Sequence, residues 1–187
     1  MALSKVITGI RRCGKSYLLF NLFRKHLSEA GVDDRHVIGV NLEDKEYAPL
    51  RNPNRLFDHM IERIPTDGKW TYVFIDEIQM CRKVLADGVN LQDVAPEDLA
   101  DAYVTFYDIL NSLMKKPNVD VYVTGPNSKL LSKDVATNFR DRGVEIKLHP
   151  LSFAEYFEVS GLSDKTEALS NYMINTMRKM LAFAMPV

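Results

Sequence analysis

The chain has 187 residues, 26% charged and 46% hydrophobic, with a formal net charge of -1. That is the make-up of one globular domain able to bury a core, and it excludes a global pull toward nucleic acid or an anionic membrane, leaving only a local basic patch open. No apolar run reaches the ~18 residues of a membrane span, and the opening residues are too weakly apolar for an export signal.

Residues 5–8 are a short β-branched run ending at Gly9, which predicts a strand. Residues 14–30 carry Leu18, Leu19, Leu22, Phe23 and Leu27 at helical spacing, with Gly31 as the stop. Residues 36–42 read as a second strand, and 53–64 as a helix with Leu56, Phe57, Met60, Ile61 and Ile64 inward. Residues 71–75 are almost wholly apolar, as in a strand buried on both faces of a parallel sheet. Residues 82–101 are polar and aperiodic and predict an insertion or mobile loop. A helix is expected over 102–115, a strand over 119–124, a helix over 129–139 and a fifth strand over 144–148; the tail from 153 to 180 reads as helical. Alternating strands and helices predict an α/β fold, a three-layer αβα sandwich around a mainly parallel five-stranded sheet. The expected division is a core over residues 1–150 and a helical segment over 151–187.

Residues 9–16, Gly9-Ile10-Arg11-Arg12-Cys13-Gly14-Lys15-Ser16, fit the pattern G-x-x-x-x-G-K-[ST] between a predicted strand and a predicted helix. The glycines allow a tight turn whose N–H groups converge on phosphate oxygens, and the following helix aims its positive end at the same anion. Gly9 through Ser16, with Tyr17 next on the helix, are therefore the candidate nucleotide-binding residues. Lys15 would reach the β- and γ-phosphates, and Ser16 would offer its hydroxyl to Mg²⁺. Farther on, an apolar strand ends in Asp76 and Glu77. Asp76 is the candidate Mg²⁺ partner and Glu77 the candidate general base for an attacking water; the bland alternative is a solvated strand end.

Asn127 follows the fourth strand, where it would bond the γ-phosphate or the water, or else build a turn and helix cap with Ser128. Arg142 precedes the fifth strand and would offset transition-state charge in its own site or a neighbour's, or else make a surface ion pair with Asp141 or Glu145. Asn41, Glu43 and Asp44 end the second strand and either line the rim or sit in a solvated loop. Arg11 and Arg12 are expected to face solvent or phosphate. Cys13 and Cys81 are far apart, and His26, His36, His59 and His149 are scattered, so no zinc site or disulfide framework is read and a cytoplasmic location is expected.

The stretches VITGIRRCGKSYLL, VNLED, YVFIDEIQ, VYVTGPNSKLLS and VEIKLHPLSFAEYF together resemble bacterial and archaeal AAA-type ATPases in which an ATPase domain precedes a C-terminal domain of unknown function. They run in that family's order over most of residues 5–158. The resemblance implies an AAA-type core using ATP and Mg²⁺, with Lys15, Ser16, Asp76 and Glu77 in the roles above. It also implies Asn127 as the sensor asparagine and Arg142 as the arginine before the last core strand. The sequence departs from the family at Pro126, which removes a backbone N–H. Few residues precede the first strand, and the chain reads as truncated where the second domain is expected to begin.

Three functions are weighed. The first is Mg²⁺-dependent ATP hydrolysis coupled to a conformational change. The second is a small-molecule kinase, which would need an arginine-rich lid that nothing after Gly125 resembles. The third is a non-catalytic, nucleotide-gated module for a protein partner, a second copy of the chain or nucleic acid. No base-specificity motif is present, so adenine rests on the resemblance.

Overall fold

The computed structural model describes residues 4–126 and 143–184. Its strands are β1 (Ser4–Gly9), β2 (Val37–Asn41), β3 (Thr71–Asp76), β4 (Val84–Leu85), β5 (Tyr103–Val104), β6 (Val119–Pro126) and β7 (Gly143–Leu148). Among the described residues, five strands form one sheet in the order β2-β3-β6-β1-β7, and every pairing in it is parallel. Parallel pairing requires crossovers, and crossovers lay helices on the faces. The helices are α1 (α-helical Lys15–Tyr17, π-helical Leu18–Phe23, α-helical Arg24–Glu29), α2 (Pro53–Arg63), α3 (Phe106–Met114), α4 (Phe153–Ser160) and α5 (Lys165–Ala184).

Two apolar layers result. Val73, Ile75, Val121 and Val123 pack with Leu56 and Met60 of α2 and Leu110 and Leu113 of α3. The alternate strand residues Ile7 and Phe74 face Leu19 and Leu27 of α1, with Phe20, Phe23, Tyr72 and Tyr122 around them. This is an α/β, three-layer architecture, and it explains the unbroken apolar run of β3: both faces are covered.

Helix ends follow local chemistry. Asn52 caps α2, accepting from the Arg55 N–H at 3.3 Å, with Pro53 in the first turn. Thr105 and Asp108 form a reciprocal capping box at α3. That box starts the helix at Phe106, later than the expected 102, because Tyr103 and Val104 pair antiparallel with Val84 and Leu85. The stretch 82–101 thus contributes a strand to a small second sheet. The tail is two helices where one was expected: Gly161 ends α4 at φ 69, and Asp164 then accepts from the Thr166 N–H at 2.7 Å to open the next.

Leu22, one of the apolar residues at helical spacing in α1, is 51% exposed. The π-helical turn carries more residues per turn than an α-helix, which shifts the phase and brings Phe20 onto the sheet instead. The predicted helix over 129–139 lies outside the described residues. Among those described, no helix is long and apolar enough to cross a membrane.

Candidate functional site

The parallel register brings the carboxyl ends of β1, β2, β3 and β6 to one edge of the sheet. Gly9 pairs with Pro126, Asn41 with Asp76, and Ile75 with Val123, so Asp76 and Thr124 come next on neighbouring strands. Ligands of open parallel sheets bind at this edge.

Gly9 is the tightest point of the loop. A Cβ there would lie 2.5 Å from the Leu148 carbonyl oxygen and 2.6 Å from the Cys13 Sγ, so only glycine fits. The loop then turns through left-handed conformations at Arg12 (φ 64) and Gly14 (φ 99). Gly14 precedes the helix without a side-chain cap, and its carbonyl accepts from the Leu18 N–H at 2.8 Å. Lys15 is 5% exposed, and its ammonium donates to the carbonyls of Gly9 (3.2 Å) and Ile10 (3.1 Å). An ammonium has three donors, so one remains for a phosphate oxygen.

The other candidate binding residues are more open. Cys13 is half-buried; Ile10, Arg11, Arg12, Gly14, Ser16 and Tyr17 are exposed. Arg11 pairs with Glu43 at 3.4 Å, tying the loop to the turn after β2, but both groups are too solvated for the pair to add much stability.

Ser16 and Asp76 line the same cleft, of ≈ 480 Å³, with Asn41, Asp44, Tyr17 and Tyr47 among its other walls. Asp76 is 1% exposed. A carboxylate so buried needs partners, and the Thr124 hydroxyl donates to its Oδ1. The same hydroxyl oxygen accepts the Glu77 N–H at 3.1 Å. Glu77 itself sits in the left-handed region, at φ 53 and ψ 48, an unfavourable conformation for a residue with a Cβ. Its Oε2 accepts from the Gln79 side-chain amide.

Thr124 and Gln79 are the site residues that motif reading missed. Thr124 becomes visible only through the register: with Phe74 paired to Tyr122, counting two residues along each strand sets Asp76 beside Thr124 on the same face. Asn127 and Arg142, the candidate sensor and arginine, lie outside the described residues.

Ser16 and Asp76 offer a hydroxyl and a carboxylate, hard oxygen donors that suit Mg²⁺. Among the described residues no three His, Cys, Asp or Glu side chains gather into an all-protein metal cage.

The sequence matches the AAA domain family over residues 3–157. It is 31% identical over 162 residues to an uncharacterized protein of Haemophilus influenzae, covering 87% of this chain and 35% of that protein. An uncharacterized protein of Methanocaldococcus jannaschii is 27% identical over 161 residues, covering 86% of this chain and 30% of that protein. The chain therefore spans about a third of the length of these relatives. C. elegans PCH-2 shares the fold at a TM-score of 0.51 and 15% identity, over 82% of this chain and 37% of that one.

Proposed function

The chain belongs to the AAA domain family, and from that premise we propose that it binds ATP with Mg²⁺ at residues 9–17 and hydrolyses it to drive a conformational change. The observation that carries this reading is the hydrogen-bonded run Asp76–Thr124–Glu77 beside the phosphate loop, with Ser16 and Asp76 on one cleft.

Lys15 and the loop amides hold the phosphates. Ser16 and Asp76 would hold Mg²⁺, which would supply positive charge to offset that of the phosphates. Glu77 orients a water and takes its proton as the water oxygen bonds to the terminal phosphorus. The bond from that phosphorus to the β-phosphate oxygen breaks, leaving ADP and inorganic phosphate. Thr124 serves both acids, fixing Asp76 through its hydroxyl hydrogen and the Glu77 backbone through its oxygen. Asn127 and Arg142 are proposed to complete the γ-phosphate environment, with Arg142 acting in its own site or a neighbour's.

Residues 1–150 are proposed as the ATPase core and 151–187 as a helical segment beside it. A cytoplasmic location agrees with the free thiols of Cys13 and Cys81. The partner in turn is proposed to be a protein or a second copy of the chain.

Calorimetry with ATP and Mg²⁺ tests the binding half: Lys15→Ala should weaken affinity at least ~100-fold, and unchanged affinity would reject the assignment. Phosphate release tests the chemical half. Glu77→Gln should slow it ~100-fold or more while sparing binding. Equal rates would leave a nucleotide-gated module without hydrolysis.

A further inference from the structure

The segment after β3 carries a feature that neither the phosphate loop nor the two acids require. Glu77 leaves the strand in the left-handed region and opens a tight turn, Ile78–Met80. The Met80 N–H donates to the Glu77 carbonyl at 2.8 Å, and the Cys81 N–H to the Ile78 carbonyl at 2.9 Å. Ile78 is fully buried in the core and Cys81 is buried beside it, so the turn is pinned at both ends. The Arg82 N–H adds a bond of 2.7 Å to the Arg51 carbonyl. In a strand the side chains at 77 and 79 would share a face about 7 Å apart. The left-handed residue and the turn fold them together, and Gln79 Nε2 donates to Glu77 Oε2.

The orientation of that amide is set by chemistry. With the ends exchanged, a carbonyl oxygen would face a carboxylate oxygen, and neither can donate. The cost appears at the other end: Gln79 Oε1 is buried with no hydrogen-bond partner among the described residues. Gln79 is half-buried, and an amide that leaves its enclosed oxygen unsatisfied in order to point its nitrogen at a carboxylate is committed to that carboxylate.

The structure assigns Gln79 as a positioning residue for the general base: its side-chain amide holds the Glu77 carboxylate in the direction from which it takes the proton of the attacking water. Gln79 acts through Glu77 and need not touch the nucleotide. The inference rests on the hydrolysis reading above and deepens it. Backbone and side chain of Glu77 are then fixed separately, the N–H by Thr124 and the carboxylate by Gln79.

The test is a double-mutant cycle on phosphate release, with ATP affinity measured alongside. Gln79→Leu removes the donor, and Gln79→Glu keeps the size while opposing one carboxylate with another. Each should lower kcat about tenfold or more while KM for ATP stays within about twofold, because the lost contact orients the base and does not bind substrate. In the Glu77→Gln background, neither change should lower the residual rate by more than about twofold. If Glu77→Gln is slow but both Gln79 variants keep the wild-type kcat, the inference fails and the hydrolysis reading stands. An equal further loss in the Glu77→Gln background also overturns it, since Gln79 would then act independently. If Glu77→Gln matches wild type, the hydrolysis reading falls and takes the inference with it. Should Gln79→Leu lose the fold, as circular dichroism would report, the near-isosteric Gln79→Glu decides.

Discussion

β6 and β7 both pair with β1 in parallel, yet Val121, Val123 and Thr124 of β6 are buried, whereas Val144 and Ile146 of β7 are 44% and 40% exposed. Backbone ladders of similar length therefore do not make equivalent strands; what covers their faces does. On the β6 side, α2 and α3 seal one face and α1 the other, and there the hydroxyl of Thr124 ties two acids together. On the β7 side the hydroxyl of Thr8 reaches an exposed acid, Glu145, at 2.5 Å. A carboxylate in a dry, packed setting is held in one direction, while one at an open edge is screened by water. The proposed phosphoryl transfer depends on position, so its chemistry belongs where packing fixes position.

The comparison breaks if the packed side proves no more sensitive than the open one. Leu110→Ala deletes a fully buried side chain of α3 and should cost about 2–5 kcal/mol, read from denaturant unfolding. Ile146→Ala on β7 should cost less than half of that. Thr124→Val is nearly isosteric but strips Asp76 of its donor and leaves the Glu77 N–H without an acceptor. It should lower stability by about 1–3 kcal/mol and phosphate release about 100-fold, whereas Thr8→Val should change the rate less than about threefold. Similar losses from both threonine variants would mean that the two sides of β1 are equally engaged.

The thiols sharpen the same contrast at a smaller scale. Burial pushes the Cys81 thiol up to about 12, so its thiolate is scarce near pH 8, while Cys13 is half-exposed in the phosphate loop. A thiol reagent should label one cysteine of the native protein, Cys13, and ATP with Mg²⁺ should slow that labelling. Cys81 should react only on unfolding. Native labelling of Cys81 would show that the turn after Glu77 opens readily, which would weaken the case for its rigidity.

Local signals in the sequence explain what could be read from it. The β-branched and apolar runs, the stop at Gly31, and the phosphate-loop pattern each depend on a few neighbouring residues. The parallel sheet follows from their alternation. Thr124 and Gln79 depend on more. The first matters only once β3 and β6 are in register, and the second only because Glu77 is left-handed, which nothing in a strand ending Ile75-Asp76-Glu77 announces. The π-helical turn of α1 likewise has no sequence signature, so helical spacing alone does not reveal that Leu22 is exposed while Phe20 packs on the core. Phe20 instead packs against the backbone of Gly39, where a Cβ would lie 2.7 Å from its ring.

The smallest effect is expected just beyond β7, where Ser152 and Glu155 cap α4 as Thr105 and Asp108 cap α3. The Ser152 N–H donates to the Glu155 carboxylate at 2.7 Å and its hydroxyl at 2.8 Å, and these bonds hold that carboxyl below its usual range. A depressed value in the folded state means that the folded protein binds fewer protons than the unfolded one. The contribution is therefore complete above the ordinary carboxylate range and fades as the pH falls through the folded value. Glu155→Gln keeps the capping geometry without the titration. Wild type should melt slightly above Glu155→Gln at about pH 7, and the gap should shrink as the pH falls through and below the ordinary carboxylate range. A gap that stays constant with pH would mean that the charge on Glu155 adds nothing to the cap, and that the shape of its side chain alone sets the start of α4.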